Sequence, residues 1–103
     1  MSQARHIIAE LIRAANELER LSADERSRLV EDAITLIQHL RLIARRAIDA
    51  GASDPLFELH FIAAAIPIGW ATDDRLRAAF LRAATIIRDL RRDIDQNANE
   101  EQE

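Results

Sequence analysis

TDDRLRAAFLRAATIIRDLRRDI, residues 72–94, settles the fold class of this chain. Leu76, Phe80, Ala83, Ile87, Leu90 and Ile94 step by four and three residues in alternation, which is a heptad seam nearly three repeats long. A strand would alternate with a period of two, and nothing here does. Thr72 stands where an N-cap belongs. Asp73 and Asp74 follow in the first turn, where the positive end of the helix dipole favours acids. The six seam residues are expected to meet the same seam on a second copy of the chain.

Immediately before this helix lies FIAAAIPIGWAT, residues 61–72, the least polar stretch of the protein. It holds the single tryptophan, Trp70, with Pro67 and Gly69 beside it. Pro67 lacks an N–H and disfavours helical dihedrals at Ile66, so a helix must end there or kink and end at Gly69. Upstream, residues 55–66 read as a short third helix with Pro55 in its first turn and Ser53 or Asp54 as its cap. Apolar residues surround its axis, and only Glu58 and His60 are polar. Such a helix should be buried all round. In a chain this small, residues 56–71 are therefore either the plug of a bundle or an interface. Phe57, Phe61, Ile66, Ile68 and Trp70 are the expected anchors for a partner, because tryptophan and other large side chains dominate binding hot spots.

Toward the N-terminus the helical period continues. A first helix is expected from Gln3 to Leu21, capped by Ser2, with Ile7, Leu11, Ala14, Leu18 and Leu21 on its apolar face. SADE, residues 22–25, is a capping box that starts a second helix almost at once and favours an antiparallel pair. That helix is expected to run to about Asp49 or Ala50 and stop at Gly51. Two apolar stripes, one through Leu29, Leu36 and Leu40 and one through Val30, Ile34 and Ile37, make it the expected central element. DAGASDP, residues 49–55, is the clearest loop.

The resulting expectation is an all-α, four-helix bundle: two long antiparallel helices, a short buried third helix and a long C-terminal helix, paired as a homodimer. Composition agrees. The 103 residues fit one domain. The 49% hydrophobic fraction is rich in the helix formers Ala and Leu, and tyrosine is absent. Residues 1–94 are expected to form the domain and 95–103 an acidic, disordered tail. Four of the 18 acids lie in that tail, leaving 14 acids against 14 bases in the body, every base an arginine. Asp89, Asp93 and Asp95 interleave with the arginines of the last helix and the whole chain is acidic, which speaks against a nucleic-acid-binding surface. No run approaches the ~20 apolar residues of a membrane span, and the charged first helix does not read as a signal peptide, so a cytoplasmic location is expected.

Chemistry is thinly represented. With no cysteine there is no thiol nucleophile, disulfide or thiolate metal site. His6, His39 and His60 form no metal-binding spacing. Glu58 and His60, two residues apart on a helix, point to different sides and make a poor catalytic pair. His60 also lacks the nearby base that a phosphotransfer histidine would use. Glu31–Asp32 and Asp73–Asp74 lack the E-x-x-E repeats of helical Mg²⁺ sites. No catalytic residue, metal or cofactor is expected. Arg41, Arg45 and Arg46, and Arg82, Arg88, Arg91 and Arg92, read as salt-bridged solvated faces. Leu42 and Leu81 sit on otherwise polar faces.

The preferred function is that of a small non-enzymatic regulator or inhibitor acting by protein–protein binding, in the manner of anti-activators, anti-sigma, immunity or phage-encoded inhibitor proteins. Two alternatives are a small dimeric helical enzyme holding an anionic substrate through arginines, and a nucleic-acid-associated regulator.

Overall fold

The computed structural model describes residues 3–44 and 55–101, with side chains described through Gln96. The described residues form four α-helices, α1 (Gln3–Asn16), α2 (Ala23–Ala44), α3 (Pro55–Ala65) and α4 (Asp73–Glu101), with a one-turn 3-10 helix at Leu18–Arg20. Among the described residues there is no strand. The expected Ser2 cap, the end of the second helix near Gly51 and the cap at Ser53 or Asp54 lie outside the described residues.

α1 stops earlier than its apolar period suggests. At Glu17 the backbone leaves helical geometry (φ −122°, ψ 38°), and the 3-10 turn that follows places Leu18 at 0% exposure. Tightening the helix by one turn lets the chain reverse within a few residues. The reversal ends on the expected capping box: Ser22 N–H donates to Glu25 Oε1 (3.2 Å) and Glu25 N–H donates to Ser22 Oγ (3.1 Å).

Two carbonyls around the end of α1 accept from side chains of other helices. Arg77 Nε, from α4, donates to Ala15 O at 3.0 Å. Arg26 Nη2, from α2, donates to Leu18 O at 2.8 Å. The two guanidiniums are held in turn by Asp74 (3.3 Å) and Asp73 (3.2 Å) at the start of α4. Cations at a helix C-terminus and acids at a helix N-terminus are both favoured by the backbone dipoles, so one set of side chains satisfies two helix ends.

These contacts also fix directions. Ala15 meets Arg77, while Gln3 and Ala4 lie beside Arg91 and Ile94, so α1 runs antiparallel to α4. Arg26 meets Asp73 near the start of both helices, and Leu40 and Ile43 lie beside Ile94 near the far end, so α2 runs parallel to α4. α4 packs most extensively on α1 and next on α2, whereas α1 and α2 touch each other little. The central element is therefore α4, not the second helix. Its alanines (Ala79, Ala83, Ala84) and those of α1 (Ala4, Ala14, Ala15) are buried and allow close approach of the two axes.

Packing of this kind consumes the heptad seam. Leu76, Phe80, Ala83, Ile87 and Leu90 are exposed by 4% or less, and Ile94 packs partly buried against the same core. The expected assignment of these six residues to a contact between two copies is thus corrected: α1 and α2 of the same chain cover them. α4 also continues past Ile94 to Glu101, where a disordered tail was expected. Once a helix exists, each added residue costs little, and no glycine or proline interrupts 95–101.

Candidate partner-binding surface

α3 carries two apolar stripes on opposite faces. Leu59, Ile62 and Ile66 point inward and are buried, with Leu56 and Ala65 at the edges of that face. Phe57, Phe61 and Ala64, at the i, i+4, i+7 spacing of one helix face, point outward and are exposed. The helix was expected to be buried on every side. Instead one face is buried against α2 and α4 and the other is bare, Phe57 being 60% and Phe61 49% exposed.

The turn after α3 adds further exposed apolar residues. Ile66 N–H still donates to Ile62 O (3.0 Å), but Pro67 has no N–H to continue the ladder. The chain then closes with two bonds. Trp70 N–H donates to Ala65 O at 3.0 Å, and Gly69 N–H donates to Ile66 O at 3.1 Å. With Gly69 at φ 75°, this is a Schellman motif with glycine at C′. Ending the helix this way leaves Pro67, Ile68 and Trp70 on the outside, Ile68 at 59% and Trp70 at 72% exposure.

Of the five expected anchors, Phe57, Phe61, Ile68 and Trp70 are exposed together on α3 and its closing turn. Ile66 is not among them: at 7% exposure it belongs to the core, because it lies on the inward stripe with Ile62. Arg75 was not singled out by the sequence reading. Its guanidinium lies 5.8 Å from the centre of the Phe61 ring, a cation–π placement. The signal for it is positional, since a residue three beyond the N-cap of α4 has only a short turn between it and α3. Leu42 and Leu81, expected on polar faces, are exposed as well (74% and 43%).

Three concave features are lined by residues of the other helices. A groove of about 470 Å³ runs between α1 and α2, with Leu21 and Leu29 among side chains of both charges, Arg13, Arg28, Glu17 and Asp32 included. His6 lines it and pairs with Glu10 one turn on. A shallower depression of about 330 Å³ on the far part of α4 is lined by Arg88, Arg91 and Arg92 beside Ile8 and Asp95. Arg88 and Arg92 are exposed, so they do not converge on an enclosed site. His39 lines a third depression at the end of the bundle, and His60 is exposed on α3. Among the described residues no group of three or more histidine, cysteine or acidic side chains could hold a metal ion. No described helix is long and apolar enough to cross a membrane.

No protein-family model, curated protein or solved structure matches this chain.

Proposed function

We propose that this is a small non-enzymatic regulatory or inhibitory protein that acts by binding another protein through the outer face of α3 and the turn that closes it. The observation that carries this reading is the exposure, between 49% and 72%, of Phe57, Phe61, Ile68 and Trp70 on one short element. Scattered exposed leucines are ordinary, but large aromatic side chains gathered on one element mark interaction surfaces. Aromatic side chains carry about 150–250 Å² each, so these four residues present roughly 500 Å² of apolar surface. Arg75 adds a charge at the rim of the kind enriched in binding hot spots.

The mechanism is steric. A rigid four-helix body holds the anchors, and occupancy of a partner's surface denies it to others. The enzyme alternative draws less support, because it needs arginines converging on a closed pocket and those of α4 line an open depression. The test is capture from a lysate with the wild-type chain, Phe61→Glu and Trp70→Ala in parallel. One protein retained in stoichiometric amount by the wild type and lost with both folded variants is the expected result. Retention by all three chains alike would remove this face from the function.

A further inference from the structure

We propose that the outer face of α3 is covered, when the protein is alone, by the same face of a second copy, packed antiparallel about a two-fold axis. The inference rests on the reading of this face as a contact surface and names its first occupant. Three observations lead to it.

The first is area. Phe57, Phe61, Ile68 and Trp70, 49% to 72% exposed, offer roughly 500 Å² of apolar side-chain surface. With its rim, that face reaches the ~600 Å² per partner of a small but specific interface.

The second is charge. Glu58 lies three residues from Phe61, hence beside it on the helix surface, and Arg75 lies against the Phe61 ring. Both are exposed. The rim therefore carries one charge of each sign close to the same aromatic anchor. A two-fold pairing is self-complementary, so each Glu58 approaches the Arg75 of the other copy. A rim of one sign would repel its own image, and this one does not.

The third is the kind of surface. The heptad seam is already filled by α1 and α2. The outward stripe of α3 is exposed and repeats at i, i+4, i+7, as a packed helix pair requires. In this arrangement the resting dimer hides the partner-binding anchors, and a partner must displace the second copy.

Sedimentation equilibrium of the full chain tests the proposal, with circular dichroism as the control for folding. The expected result is a mass that doubles as concentration rises through roughly 1–100 µM, the range of a weak, reversible dimer. Phe61→Glu, at an exposed position, is expected to keep the helical signal and shift the midpoint at least tenfold upward. Glu58→Arg and Arg75→Glu are each expected to weaken the dimer, and the double variant to recover it. A wild-type chain that stays monomeric at 100 µM overturns the proposal, as does a dimer untouched by Phe61→Glu and Phe57→Glu. The two readings fail separately. A monomer that still captures a partner in a Phe61-dependent way removes the dimer and leaves the binding function. A Phe61-dependent dimer that captures nothing at any dilution does the opposite.

Discussion

Gly69 and Arg77 show how much single residues decide here. Gly69 sits at φ 75°, a conformation that L side chains rarely adopt, yet nothing lies within 4 Å of where a Cβ would be. The cost of Gly69→Ala is therefore conformational rather than steric, about 1 kcal/mol. Thermal unfolding should show it, with Gly69→Asn less destabilised because asparagine tolerates the left-handed region. Equal losses for both would mean that space, not backbone, constrains the turn. Arg77 is a different case. Its hydrogen bond to Ala15 O closes the end of α1 and spans two helices. Arg77→Ala removes a charged donor from a partly exposed carbonyl, an expected loss of about 1 kcal/mol in chemical denaturation. Arg77→Lys should recover only part of it, since a lysine amine cannot reproduce the fork that binds Ala15 O and Asp74 together. Full recovery by lysine would reduce the role of Arg77 to charge alone.

At the scale of elements, α3 separates what a sequence reveals from what it hides. Its apolar character on nearly every side is plain in residues 56–66, and it led to the expectation of burial all round. Which stripe faces inward is not plain, because Phe57 and Phe61 are as apolar as Leu59 and Ile62. The choice appears only in the packing, where α2 and α4 cover the face of Leu59 and Ile62. The caps at Ser22 and Thr72 were legible, since their chemistry is local and each is one hydrogen-bond pattern on neighbouring residues. The seam of α4 was legible as apolar spacing but not as to its partner, because a core and an interface demand the same period. The two stripes make a measurable contrast. Ile62→Ala opens a cavity in a position only 2% exposed and is expected to cost about 2–4 kcal/mol. Phe61→Ala, one residue along, loses a half-exposed ring and its Arg75 contact and should cost the monomer about 1 kcal/mol or less. Denaturant titrations at low protein concentration read both. A loss of more than 2 kcal/mol for Phe61→Ala would place that ring in the core.

For the whole molecule, the arrangement is a central α4 with α1 and α2 on its flanks and α3 held by one face. Burial grows slowly with chain length, so a body of this size gains comparatively more from covering a bare face than a large one does. Self-association therefore has a thermodynamic signature beyond mass. When folded dimers unfold to separate chains, mass action stabilises the folded state as concentration rises. A tenfold increase adds about 1.4 kcal/mol per dimer, hence about 0.7 kcal/mol per chain. For a domain near 100 residues, that shifts the midpoint of thermal unfolding by about 3–5 °C. The wild type should show this rise above the concentration at which it pairs and a flat midpoint below it. Phe61→Glu should be flat throughout and coincide with the dilute wild type, because the substitution leaves the buried stripe of α3 intact. A concentration-dependent midpoint that persists in Phe61→Glu would locate self-association on another surface, with exposed Leu42 and Leu81 as the next positions to change.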